Sequence, residues 1–408
     1  MKLAITLTLL TVLLSCSSLA QAQDCNALQA TQNFVDYVIC LKYPVEVHTV
    51  TTEDGYKLTV FRIQAKNTKI TEGKPVVLLQ HGLLDSADGW IVNDEENAPG
   101  FILANKGYDI WFGNSRGNKY SIDHKTLDPT NSEEYWKFSW MHMGQYDLPA
   151  LFTYIAEKTG QKINYVGHSQ GTTQMFAHLS NPDGKNKAIT SNLRKFAALG
   201  PPTYMAHVSS KFFVTMAKVP YLPDALTYLF PYGIFHPNWV STVGGSLLCK
   251  YMEWACANTI TLIGDVDPSL DNLDRLSVII KHYPGGTSVQ NLHHWQQEIV
   301  GGGNFEKYDY GADMNQQIYG QPTPPRYNAS LITEDVALFV GNGDELATAP
   351  DATKFYNEMT NAKKEIHYYD IGHLTFLIGK KLAYMDDLIK FLDLPQEGET
   401  RYLRGISA

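Results

Sequence analysis

The stretch Val166-Gly167-His168-Ser169-Gln170-Gly171 constrains this chain more than any other. It comes after a short apolar run, Ile163 to Val166, and precedes a run of helical character, Thr172 to Leu179. A G-x-S-x-G turn between a strand and a helix holds its serine on a strained backbone, with the hydroxyl pushed out above the sheet. The flanking glycines are needed because side chains there would collide with the neighbouring strand and helix. The N–H of the next residue, Gln170, is aimed at the place where negative charge would build up on an oxygen under attack. Three such positions match by chance in roughly one chain in ten of this length. A second match is in fact present, Gly113-Asn114-Ser115-Arg116-Gly117. Context separates the two. Ser115 also lies after an apolar run, Tyr108 to Phe112, but Asn118 to Asp123 beyond it has no helical apolar period. Ser169 is the expected nucleophile, and Ser115 a polar loop residue beside it.

Strand and helix patterns alternate around this turn. Pro75 to Gln80 is a continuous apolar run ending at His81-Gly82, the mark of a strand buried on both faces of a parallel sheet. Lys57 to Ile63 alternates apolar and polar residues, as a half-buried edge strand does. A helix is expected at Pro99 to Asn105, then a strand at Tyr108 to Phe112. Asp147 to Lys158 places Leu148, Leu151, Phe152 and Ile155 on one helical face. Phe196 to Leu199, Asp335 to Val340 and Glu365 to Tyr369 are further short strands, and a last helix lies near Leu382 to Leu392. Residues 23–50 show little period and are expected to be a lead into the fold. The pattern is that of an α/β chain with a mostly parallel sheet and right-handed crossovers.

With 408 residues the chain is long for one domain, and one domain plus a large insertion fits. The insertion is expected after Gly200-Pro201-Pro202. From Tyr204 to about Gly320 the alternation stops and aromatics crowd together, among them Phe212, Phe213, Tyr221, Tyr228, Phe235 and Trp239. Either they fill the core of a helical subdomain, or they belong to a cap with part of its apolar surface turned to lipid. The cap organisation gives a first part of the core at 23–200, a cap or lid at 201–320 and a second part of the core at 321–408.

The N-terminus has the form of a secretory signal over residues 1–22. Lys2 supplies the charge, Leu3 to Leu14 the apolar run, and Ala20-Gln21-Ala22 a small-x-small cleavage site. The apolar run is short for a membrane span, and Leu13-Leu14-Ser15-Cys16 is only an imperfect lipid-attachment motif. Cleavage leaves Cys25, Cys40, Cys249 and Cys256. Four cysteines in an oxidising compartment suggest two disulfides; of three pairings, proximity favours Cys25–Cys40 with Cys249–Cys256. Asn328-Ala329-Ser330 is an N-glycosylation acceptor. A net charge of −9 disfavours nucleic acid and polybasic membrane anchoring. No metal-ligand spacing and no phosphate loop appear, so no cofactor is expected.

A serine hydroxyl needs a base to take its proton, and a histidine base needs a carboxylate to orient it. Among thirteen histidines, His373 lies after a glycine past the last expected strand. His367 sits inside that strand, and His293 and His294 lie in the insertion. Asp344 lies in a Gly-rich loop directly after its strand, with Glu345 and Asp370 as rivals. The second oxyanion donor is expected in His81-Gly82-Leu83-Leu84, at the Leu83 N–H. His81 and His168 are expected to be structural.

With these residues assembled, the chain resembles the acid lipase family: the gastric lipases, lysosomal acid lipase and their plant and invertebrate relatives. The resemblance rests on Gln80-His81-Gly82-Leu83-Leu84, Gly113 to Asn118, Tyr146-Asp147-Leu148-Pro149-Ala150 and Gly167 to Gly171. It continues through Asn291-Leu292-His293-His294-Trp295, Pro324 to Asn328, Asp344 with Leu346-Ala347, and His373-Leu374. It implies an α/β-hydrolase core with a helical cap and hydrolysis of neutral lipid esters at a lipid–water interface. It further implies a Ser169–Asp344–His373 triad with Leu83 and Gln170 as oxyanion donors, and a cap disulfide in the region of Cys249 and Cys256. Three departures stand out. Thr375 replaces an aspartate two residues after the histidine, Glu345 replaces a bulky aromatic, and the cap cysteines are closely spaced. A carboxylesterase for small soluble esters and a non-catalytic lipid-binding protein are the alternatives.

Overall fold

The computed structural model describes Cys25, residues 33–234 and residues 265–393. The signal segment, Phe235, Trp239, Cys249 and Cys256 lie outside the described residues. The strands are β1 (Val45–Thr51), β2 (Tyr56–Ile63), β3 (Val76–Gln80), β4 (Asp109–Gly113), β5 (Asp123–His124), β6 (Ile163–His168), β7 (Leu193–Leu199), β8 (Asp335–Gly341) and β9 (Lys363–Tyr369). They form one mixed sheet in the order β1-β2-β4-β3-β6-β7-β8-β9, with β5 paired to β2. From β4 to β9 every pairing is parallel, while β1, β2 and β5 pair antiparallel.

β3 shows why the sheet is buried on both faces. Val76 and Leu78 join one apolar core and Val77 and Leu79 the other. Full burial of each such side chain is worth about 2 kcal/mol. β6 is buried along its whole length in the same way. Helices α1 (Phe34–Cys40), α2 (Pro99–Asn105), α3 (Leu148–Thr159) and α4 (Gln170–Leu179) lie among the early strands. The α3 stripe of Leu148, Leu151, Phe152 and Ile155 is buried as its spacing requires, and the helix ends at Gly160 in the left-handed conformation.

Between β7 and β8 the described residues hold helices and isolated bridges but no ladder strand. They include α5 (Lys211–Ala217), α6 (Leu222–Leu229), α7 (Leu276–His282), α8 (Val289–Val300) and α9 (Ala312–Tyr319). The aromatics of this insertion divide. Trp295, Phe305 and Tyr308 pack with Trp140 in the core. On α6 no side chain is buried, and Tyr221, Tyr228 and Leu229 are 81%, 87% and 64% exposed. They do not fill a core of their own. Beyond the insertion, α10 (Ala349–Glu358) precedes β9 and α11 (Met385–Asp393) comes after it.

Three expectations need correction. Residues 23–50 are not a plain lead: they carry α1 and β1. α1 buries Phe34, Tyr37 and Val38 and is tied back by a Cys25–Cys40 disulfide. β2 is not an edge strand. β1 covers its outer side in antiparallel register from Val45↔Ile63 to Thr51↔Lys57, so β1 is the edge. β1 shows weak alternation because a strand with one neighbour and one solvated face needs few buried positions; only Val50 of β1 is buried. The last helix starts at Met385, three residues later than its apolar pattern suggests.

Candidate active site

Ser169 stands between β6 and α4 at φ +52° and ψ −126°, a conformation that costs a non-glycine residue on the order of 1–3 kcal/mol. Its surroundings hold it there. The Ser169 N–H donates to the Leu199 carbonyl at 3.0 Å, and its own carbonyl accepts from the Thr172 N–H and hydroxyl, each at 2.7 Å. The neighbouring glycines leave room for the turn. A Cβ on Gly167 would lie 2.8 Å from the Gly171 backbone, and one on Gly171 would collide with the Gln80 carbonyl oxygen.

The loops after β8 and β9 carry the two partners. His373 Nε2 lies 2.8 Å from Ser169 Oγ, and His373 Nδ1 lies 2.7 Å from Asp344 Oδ2. Asp344 and His373 are both buried. The other Asp344 oxygen accepts from the Leu346 and Ala347 N–H groups at 2.8 and 2.7 Å, so backbone donors hold the carboxylate from the side away from His373. The rivals go elsewhere. Asp370 accepts from Asn342 on the surface, Glu345 offers its backbone carbonyl to Ser209 and Ser210, and His367 stacks on Phe339. His293 bonds Tyr308, and His294 stacks on Trp140.

Leu83 and Gln170 flank the serine. A Cβ on Gly82 would stand 3.0 Å from Ser169 Cβ, and the chain turns away at Leu84 with φ +57°. Among the described residues neither the Leu83 nor the Gln170 N–H has a protein acceptor, which leaves both open to a substrate oxygen. His81 braces this loop. Its Nδ1 faces the Gly82 carbonyl at 2.8 Å while Nε2 receives the Ser115 N–H at 3.0 Å and the Asn118 amide at 3.1 Å. Those partners require a neutral ring, and burial pushes its pKa down to about 4. Ser115 is buried beside the site, its hydroxyl taking the Gln80 and Gln174 amides. His168 donates from Nε2 to the His373 carbonyl at 2.9 Å; burial, with His373 beside it, pushes its pKa down to about 3.

The insertion closes over the same loop. The Gly285 N–H donates to the Leu84 carbonyl at 2.6 Å, and the Lys119 N–H to the Gly285 carbonyl at 2.8 Å. Asp88 joins His282, Lys119 and Tyr120; the Lys119 charge foremost among these partners offsets its burial and holds it well below the usual carboxylate range. Burial pushes the neighbouring Asp85 up to about 7.

A hydroxyl, a ring and a carboxylate in one hydrogen-bonded line, beside two free N–H groups, is equipped for acyl transfer. Two family models match the sequence: a partial alpha/beta-hydrolase lipase region over residues 34–94, and the alpha/beta hydrolase fold over residues 75–380. A gastric triacylglycerol lipase from Homo sapiens is 38% identical over 359 residues, covering 86% of this chain and 87% of its own. The chain belongs to the acid lipase family of α/β-hydrolases. Within this family, lipase lipl-5 of Caenorhabditis elegans is 37% identical over 362 residues, covering 85% and 88% of the two chains. Lipase member K of Mus musculus is 37% identical over 378 residues, covering 90% and 92%. The fold also matches a solved enol-lactonase from Burkholderia xenovorans LB400 at TM-score 0.50 and 12% identity, over 86% of this chain and 100% of that one. As a member of the acid lipase family, this chain is a carboxylic ester hydrolase.

Sequence reasoning missed several residues at this lipase site. Asn291 and Trp295 hold the Gln170 side chain, and Asp265 and Asp271 touch the His373 loop. The first two lie in a motif that the family resemblance includes. The last two carry no sequence signal, because only folding brings them within reach of residues more than a hundred positions away.

Proposed function

We propose that this enzyme hydrolyses neutral lipid esters, triacylglycerol or steryl ester, with Ser169 as nucleophile, His373 as base and Asp344 as its orienting carboxylate. Ser169 Oγ attacks the ester carbonyl carbon while His373 Nε2 takes its proton. The Leu83 and Gln170 N–H groups receive the negative oxygen. His373 then returns the proton to the leaving alcohol, and an acyl-serine remains. Water, deprotonated by His373, attacks the acyl carbon and releases the fatty acid and the free serine. The observation that carries this reading is the pair of distances, 2.8 Å from Ser169 to His373 and 2.7 Å from His373 to Asp344.

Two things support the substrate class. The relatives include gastric triacylglycerol lipases, and the outward aromatics of α6 suit a lipid–water interface. Residues 201–320 are assigned as the cap or lid over a core formed by 23–200 and 321–408. No helix among the described residues is long and apolar enough to cross a membrane. The working compartment is assigned as the secreted or lysosomal and vacuolar lumen. The Cys25–Cys40 disulfide supports it, as does an exposed Asn328 placed to accept a glycan.

The test is acyl release from emulsified triolein and from a soluble short-chain ester between pH 4 and 9, beside Ser169→Ala. Wild-type cleavage of triolein with a silent variant is expected. Cleavage of the soluble ester alone would make it a carboxylesterase, and a folded but inactive wild type would make it a lipid-binding protein.

A further inference from the structure

Asp265 and Asp271 reach the catalytic loops from the insertion, ahead of α7. Asp265 is 4% exposed and Asp271 1%. Asp265 touches both loops that supply the partners of Ser169. On one side it forms a backbone bridge with Asp344, and the next residue, Val266, donates its N–H to the Gly343 carbonyl at 3.1 Å. On the other, Asp265 Oδ1 accepts the Leu374 N–H at 3.0 Å, one residue beyond His373. Gly372 is glycine for this contact, since a Cβ there would overlap the Asp265 carboxyl. Thr375 completes the cluster, its hydroxyl 2.8 Å from Asp271 Oδ1 and 3.4 Å from Asp265 Oδ2.

The Thr375 hydroxyl reaches one oxygen of each, so the two buried carboxyl groups face each other across a single hydroxyl. Asp271 Oδ2 is buried with no hydrogen-bond partner among the described residues. Two carboxylates cannot both be ionised at such range in a buried site, so a pair of this kind needs one proton between them. We propose that Asp265 and Asp271 are positioning residues, a proton-sharing clamp that registers His373 against Asp344 and lets go when the shared proton leaves. This rests on the triad reading above.

The charged groups around the pair agree with the direction. Asp344 faces it from the loop after β8, and the backbone on either side of His373, at Gly372 and Leu374, touches it from the loop after β9; Asp267 lies beside it, and Lys380 donates to the Ser269 carbonyl on the outer side. Burial first, then the facing Asp271, holds the Asp265 carboxyl above the usual carboxylate range; burial also raises Asp271. A raised carboxyl stabilises its folded arrangement fully below the ordinary carboxyl range, and that support is lost as pH rises through the raised value. A histidine base sets the acid limb of a hydrolase profile. The clamp sets the alkaline limb.

The experiment is kcat and KM on a soluble short-chain ester from pH 4 to 9 for wild type, Asp265→Asn, Asp271→Asn, Asp265→Ala and Ser169→Ala. An asparagine keeps the shape and carries permanent donors, so it replaces the shared proton. Either asparagine variant is expected to hold acid-side kcat within about threefold and to move the alkaline limb up by about one pH unit or more. Asp265→Ala is expected to lower kcat about tenfold at every pH with KM within about twofold. Folded asparagine variants whose profiles superimpose on the wild type, or a wild type with no alkaline limb to pH 9, would overturn the clamp. If Asp265→Ala does not fold, the asparagine profiles decide alone. Ser169→Ala separates the two levels: activity in that variant removes the triad and the clamp with it, whereas its silence beside superimposed profiles removes the clamp only.

Discussion

Asn291 Nδ2 donates to Gln170 Oε1 at 2.9 Å, and Trp295 Nε1 donates to the same oxygen at 2.8 Å. Both donors sit on α8 of the insertion, and the acceptor belongs to the residue directly after Ser169. The insertion thereby grips the residue whose N–H is the proposed oxyanion donor. Asn291→Ala is expected to lower kcat about tenfold with KM little changed, because a misplaced oxyanion donor is felt in the transition state. It also leaves the Trp140 N–H without its Asn291 acceptor, costing about 1–3 kcal/mol of stability. Steady-state kinetics and urea unfolding of the same variant check both.

Asp344→Asn keeps the volume of the carboxylate and reverses one of its hydrogen bonds. An amide facing His373 Nδ1 stabilises the tautomer with its proton on Nε2, the atom that must accept from Ser169. A loss of about 10³- to 10⁴-fold in kcat is expected, with the fold retained because the remaining oxygen still accepts from Leu346 and Ala347. Activity within tenfold of wild type would move the orienting role to another carboxylate.

Two glycine substitutions separate space from backbone strain. At Gly171 a methyl group runs into the Gln80 carbonyl, a collision with backbone that side-chain movement cannot relieve. Gly171→Ala is expected to cost about 3 kcal/mol. Gly160 has open space around its Cβ direction but φ +65°, so Gly160→Ala should cost only about 1 kcal/mol. Urea midpoints rank them.

Stability against pH should reflect buried groups of opposite sign. His81 and His168, with values near 4 and 3, are bases held neutral. Their support is full above the ordinary histidine value and is lost as pH falls through the folded values. Asp85, near 7, is an acid held neutral, and its support is lost as pH rises through 7. His81→Gln should flatten the fall in melting temperature between pH 6.5 and 4. Asp85→Asn should flatten the fall that Asp85 contributes between about pH 4 and 7. Thermal melts across pH 4 to 9 measure both slopes.

The exposed face of α6 gives a prediction without a stability cost. Tyr228→Ser with Leu229→Ser removes two side chains that are mostly exposed, so unfolding should shift by less than about 0.5 kcal/mol. Hydrolysis of emulsified triolein should fall several-fold while the soluble ester is cut as before. Equal losses on both substrates would place these residues in the site and not at an interface.

How far the sequence reaches can be read residue by residue. β3, β6 and the turn at Ser169 were legible because their signals are local: apolar runs, two glycines and a serine, and a helical stripe. Asp344 and His373 were legible because each lies just past the end of its own strand. β1 was not, because one buried valine in seven residues leaves no period to detect. Ser115 matched the same three-residue pattern as Ser169 and differs only in lacking a helix immediately downstream; folded, its hydroxyl is consumed by Gln80 and Gln174.

The sequence by itself determined the α/β alternation, the strained serine turn, and the order serine, aspartate, histidine along the chain. Those depend on residues within a few positions of one another, where steric and hydrophobic patterning act. Only the tertiary structure decided which partner each polar group finds. Asp265 meets Leu374 across 109 positions, and Asn291 meets Gln170 across 121. A hydrogen bond is satisfied by a distance of about 3 Å, and nothing in the composition of either segment encodes that distance until the sheet brings the loops together.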